Sequence, residues 1–164
     1  MVMGVKRSRQ LKPLSSEHHQ ALLVAFQLKK SIAGHAESAG APKDLPGLLS
    51  LTRRFEDSVL KAHTRAEEEL LGQYLSPADM NRLTSEHSEM ARLLESARTA
   101  RPPEAKAALL AFAALLERHV RWEERELFVQ CEERLDEAAL ASVGTELEKR
   151  LVIARSEAKA ARRA

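Results

Sequence analysis

Four stretches of this chain carry apolar residues at alternating steps of three and four, and each of these stripes is interrupted by one histidine. That spacing marks a helix seated against other helices, because positions three and four apart lie over one another on one helical face. The first stripe reads Leu14, His18, Ala21, Ala25, Leu28, Ile32, and the second Phe55, Val59, His63, Ala66, Leu70. The third is Met80, Leu83, His87, Met90, Leu94, and the fourth Phe112, Leu116, His119, Glu123, Leu127. Every principal helix is therefore expected to turn a histidine into the core.

The breaks between the stripes set the helices. The segment 34–47, with Pro42 and Pro46, and the Pro102-Pro103 pair interrupt helical runs, while Ser76 before Pro77 supplies a cap and a first-turn proline. Helices are predicted over residues 15–33, 48–74, 77–98 and 103–134. A fifth, over 136–160, carries Leu140, Val143, Leu147, Leu151 and Ala154 on one side. The expected fold is all-α, an up-and-down four-helix bundle over about 14–135 with an additional C-terminal helix outside it, in one domain spanning 1–164. At 164 residues, rich in Ala, Leu, Glu, Arg and Lys, the chain can bury such a core without disulfides or other staples.

Charge excludes some partners. With 26 basic and 24 acidic residues the net charge is only +2, so neither nucleic acid nor a membrane surface is expected as a partner. The basic end, 155–164, reads as a solvated helix terminus. The basic segment 1–10 is followed by no apolar stretch of signal-peptide type, and Cys131 is a lone thiol, expected to be inert. A reducing, cytoplasmic setting is expected.

The chemistry is carried by an internal repeat. Ser16-Glu17-His18 recurs as Ser85-Glu86-His87, and each copy precedes a helix bearing His-x-Arg-x-Glu-Glu: His63 to Glu67 and Glu68, then His119 to Glu123 and Glu124. Two like hairpins packed about an approximate two-fold axis would bring their inward side chains together at the centre. His63 with Glu67, and His119 with Glu123, are four apart, so each pair can present an imidazole and a carboxylate to one point. His18 and His87 complete a set of four imidazoles and two carboxylates. A lone core histidine is ordinarily a hydrogen-bonded core residue, but six such groups without compensation would cost several kcal/mol for each buried carboxylate. A pair of cations satisfies all six at once. The mixed nitrogen and oxygen set suits iron, manganese or zinc better than calcium or magnesium, and bridging glutamates would leave positions open to a small ligand such as dioxygen or nitric oxide.

Other residues compete for these roles. His19 adjoins His18, and Glu68, Glu69, Glu124 and Glu126 could rotate inward, although a solvated face paired to Arg65, Arg121 and Arg125 is the expectation for these acids. His35 is expected in solvent, and Trp122 is expected to face away from the seam and pack the fifth helix.

These residues together resemble the hemerythrin-like (HHE cation-binding) domain family. The resemblance covers roughly residues 14–135 and is most specific at His119-Val-Arg-Trp-Glu123-Glu124-Arg-Glu-Leu-Phe128, with support from His18, His87 and the His63 to Glu67 motif. It implies a four-helix bundle with two non-haem iron ions, oxo- or hydroxo-bridged, that binds dioxygen or responds to oxygen, iron or nitrosative stress. Oxygen-carrying hemerythrins have a second histidine one turn after the third-helix ligand, where this chain has Ala91. The resemblance then implies a more open centre, fitted to sensing, storage or small redox chemistry. Val129, where many relatives have proline, bears only on the end of the fourth helix. Two alternatives stand beside a sensing or protective di-iron protein: an enzyme acting on nitric oxide or peroxide, and a helical interaction module with a structural metal.

Overall fold

A computed structural model describes residues 8–163, and all its regular elements among these are helical. Helix α1 is Lys12–Ile32. Helix α2 runs over 45–74 as one irregular rod, with π turns at Glu56–Leu60 and Glu67–Leu71 and a closing 3₁₀ turn at Gly72–Tyr74. Helix α3 is Pro77–Thr99, capped by the Ser76 side chain on the Asp79 amide. Helix α4 covers 102–134 with a π turn at Glu123–Leu127, and α5 is Glu137–Ala161, capped by Asp136 on the Ala139 amide. The bounds match those read from stripes and breaks, because proline and capping residues stop helices by local chemistry that needs no tertiary context.

Helix α4 packs on α1 and α3, and α2 closes the ring by touching those same two. Helix α5 lies outside, chiefly along α2 and also on α1. Its Val143, Leu147 and Leu151 are buried, as the sequence predicts. At Gly144 it passes close to the N-terminal segment: a Cβ there would sit 2.7 Å from Cβ of Gln10.

The core has two apolar clusters. One gathers Ala21 to Leu28 of α1 with Phe55, Val59, Met90, Leu94, Phe112 and Leu116. The other gathers Leu11 and Leu14 with Leu71, Leu83, Leu127, Phe128 and the fifth-helix residues. On each of α1 to α4 the predicted inward polar residues fall between these clusters. Leu71, not Leu70, continues the α2 stripe. The π turn adds a residue to that turn of helix, so the inward position comes one residue later than a regular count gives.

Candidate metal centre

Eight polar or charged side chains are buried among the described residues, and six of them are His18, His63, Glu67, His87, His119 and Glu123. They form two overlapping clusters whose candidate donor atoms lie within 4.8 Å of one another: His18, His63, Glu67 and Glu123 in one, and Glu67, His87, His119 and Glu123 in the other. Both glutamates belong to both. Glu67 places Oε1 3.0 Å from Nε2 of His63 and Oε2 3.4 Å from Nε2 of His87. Glu123 places Oε2 3.1 Å from Nε2 of His18 and Oε1 2.9 Å from Nε2 of His119. Each carboxylate thus offers one oxygen to each cluster, the placement of a bridge.

The outer edge of every ring is held as well. Nδ1 of His18 lies 2.7 Å from Glu124, Nδ1 of His63 2.9 Å from Glu17, Nδ1 of His87 2.7 Å from Glu68, and Nδ1 of His119 2.7 Å from Glu86. A carboxylate accepts only, so each Nδ1 carries the proton and donates. When such an imidazole is neutral, that tautomer presents its electron pair at Nε2, and the four Nε2 atoms point inward. His18 and His63 meet Nε2 to Nε2 at 3.1 Å, as do His87 and His119. All four oxygens of Glu67 and Glu123 are buried and receive no hydrogen bond. Acceptors crowded against acceptors in a dry space need positive charge between them. The donor set fits a pair of transition-metal cations, with the histidine–carboxylate pairs orienting the imidazoles.

The titration behaviour has the same origin. Burial pushes His63 toward its neutral form, but Glu67 and Glu17 outweigh it and hold its pKa well above the usual histidine value. For His119, burial is outweighed by Glu123 and Glu86, and the pKa rises to about 9. His18 is raised too, burial being overcome by Glu123 and Glu124. Burial would lift Glu67, yet His63 and His87 keep it well below the ordinary carboxylate range. Burial and Glu67 both push Glu123 up, and His119 and His18 still bring it down.

His18 is buried with the central groups while His19 and His35 are exposed, and three expectations are corrected. Glu69 does pair with Arg65, at 2.8 Å, and Glu126 is exposed. Glu68 and Glu124 were expected to pair with arginines, but they turn to His87 and His18, each on the other hairpin. Both follow the first residue of a π turn, which winds through a smaller angle per residue, so neighbouring side chains diverge less and Glu68 can share the inward side with Glu67. Trp122 is buried with its ring 6.0 Å from that of His119 and 4.1 Å from the Arg82 guanidinium carbon, so it rests beside a central histidine and α3 instead of serving α5 alone. Ala91 is exposed, and Met90 is the residue that follows His87 into the core, so the alanine does not open the centre. Glu17 and Glu86 went unread as partners although both copies of the Ser-Glu-His repeat contain them.

A small space adjoins the centre on the side of Ala21. A residual cavity of about 10 Å³, enough for one water-sized group, is lined by His18, His63, His119 and Glu123 together with Ala21, Val59 and other apolar residues. The repeat puts Met90, a buried and longer side chain, where α1 has Ala21.

Among the described residues no helix is long and apolar enough to cross a membrane. The family model described as hemerythrin HHE cation binding domain matches residues 9–131. No curated protein matches the chain, and no solved structure does.

Proposed function

The chain belongs to the hemerythrin HHE cation-binding domain family, and on that footing we propose that it holds two non-haem iron ions and acts as a cytoplasmic sensing or protective protein toward dioxygen, nitric oxide or iron itself. His18 and His63 would hold one ion, His87 and His119 the other, and Glu67 and Glu123 would bridge them. The observation that carries this reading is the set of four buried carboxylate oxygens without a donor, faced by imidazoles whose Nδ1 atoms are already committed. The apolar clusters that the site-bearing helices enter in alternating order support an up-and-down arrangement of α1 to α4.

Iron in such a site supplies open coordination and redox chemistry to a small ligand. The protein does the rest. Glu17, Glu68, Glu86 and Glu124 fix the ring orientations and keep each proton on Nδ1. Apolar side chains on both sides exclude bulk water. The cavity beside Ala21, about 10 Å³, matches one small ligand. Among the described residues the side chains that pair with the central histidines from outside are these glutamates, which favours binding and sensing over turnover.

Metal analysis of protein purified aerobically tests the reading. About two irons per chain and near-ultraviolet absorption that disappears on chelation are expected. Protein that binds no redox metal, and whose thermal stability is indifferent to a chelator, would overturn it.

A further inference from the structure

The basic end of α5 holds one residue that is not a bystander. Nε of Arg155 lies 3.3 Å from Oε1 of Glu17, a carboxylate only 2% exposed, and the other oxygen of Glu17 accepts from Nδ1 of His63 at 2.9 Å. An ion pair between two solvated groups contributes little. Here one partner is inside the protein and orients a central histidine, so the position of the arginine matters to the histidine.

The other hairpin shows what this contact replaces. There Glu86, which holds His119, is itself held by Arg82 at 3.0 Å, one turn earlier on the same helix. The repeat puts Pro13 at the corresponding place in α1, and proline has no cation to offer. The first hairpin therefore borrows its arginine from outside the repeat. Delivery depends on α5 being docked, through buried Val143, Leu147 and Leu151 and through the ion pair of Arg150 with Glu69 on α2.

Resting on the metal-centre reading above, we propose that Arg155 is a positioning residue for the ion held by His18 and His63, acting through Glu17 and His63, so that this one ion depends on the docking of the terminal helix while the ion at His87 and His119 does not. Second-sphere partners of metal-bound histidines carry about 10- to 100-fold in metal affinity. An arginine acting one step further out should lie near the lower end of that range.

The test uses the full chain, stripped with a chelator and titrated with zinc as a diamagnetic probe. Wild type should take up two ions. Arg155→Gln should weaken one of them by up to about tenfold and leave the other unchanged. In the zinc-loaded protein the Nδ1 proton of His63 should exchange faster with water in R155Q, with that of His119 unaffected. Arg155→Lys should restore much of the loss, and Arg82→Gln should give the mirror-image result. Two unaltered affinities with both Nδ1 protons unchanged, or equal weakening of both ions, would overturn the role of Arg155 while leaving the centre standing. Wild type that takes up no zinc would overturn the centre and this role together.

Discussion

The two hairpins, α1 with α2 and α3 with α4, carry the same central groups and the same outer carboxylates and differ in what lies beyond them. His18 and His63 are matched by His87 and His119, and even the outer carboxylates correspond, Glu17 with Glu86 and Glu68 with Glu124. Yet the first hairpin has Ala21, which lines a small cavity beside the centre, where the second has Met90. It has an additional π turn at Glu56–Leu60, where α4 is regular. It also carries α5 on its outer side. Duplicated ligands therefore do not make equivalent sites: the chemistry is repeated, and access and support are not.

The bridging glutamates should ignore this division. Glu67→Ala and Glu123→Ala each remove an oxygen from both clusters, so both variants should lose both ions and about 3–5 kcal/mol of stability, the cost of stranding buried charged partners. Retention of one ion in either variant, measured by elemental analysis, would break the bridging assignment. Packing should expose the asymmetry next. Met90→Ala should cost about 2–5 kcal/mol and create in the second hairpin the space that the first already has. Ala21→Met should cost about 1–3 kcal/mol by overpacking and abolish nitric oxide binding to iron-loaded protein. Ligand titrations in which the two variants respond alike would remove the distinction.

A smaller effect is expected at the interface of α5. A Cβ at residue 144 would meet Cβ of Gln10 at 2.7 Å and its Cα at 3.0 Å. Gly144→Ala should therefore cost about 1–3 kcal/mol, with faster amide exchange in α1 and α2 and little change in α3 and α4. Uniform acceleration would mean that α5 supports both halves equally.

The mildest probe is pH, applied to stripped and metal-loaded protein in parallel. In the stripped form His119, raised from 6.5 to about 9, stabilises the fold fully below pH 6.5 and loses that contribution as pH climbs toward 9. Glu67 and Glu123, depressed below 4.5, contribute fully above that pH and lose it on acidification through their lower folded values. Stripped protein should be most stable between about pH 4.5 and 6.5. The loaded form should gain stability across the range in which the stripped form loses it, because cations bind more tightly as competing protons leave. Parallel denaturation curves that slope the same way from pH 6.5 to 9 would contradict a centre where metal and proton compete.

Much of this was legible in the sequence. The six central groups could be read because a histidine on an apolar stripe, with glutamate one turn on, is a local pattern, and the repeat doubled it. Helix ends could be read from Ser76, Pro77 and Pro102. What escaped depended on tertiary geometry or on departures from the regular helix. Glu68 and Glu124 reach across to the opposite hairpin, which no spacing along one helix reveals. Leu71 was missed because a regular step was counted through the π turns of α2, whereas the weight given to Ala91 came from the family resemblance and the inward line of α3 runs from His87 to Met90, as its stripe reads. Arg155 sat in a stretch whose composition is that of a solvated tail, and only the docking of α5 brings it to Glu17.

The π turns that begin at Glu67 and Glu123 impose a further condition on any change to these helices. Each stores one surplus residue between the part of the rod that faces the centre and the part that anchors in the Leu71 and Leu127 cluster. Deleting a single residue there would restore uniform winding and leave the anchor leucines on the inward line, but it would remove the local unwinding that lets Glu68 and Glu124 share the inward side with Glu67 and Glu123. The surplus residue therefore serves the centre and not the anchor: such a deletion should spare the fold and detach the carboxylates that hold Nδ1 of His87 and His18.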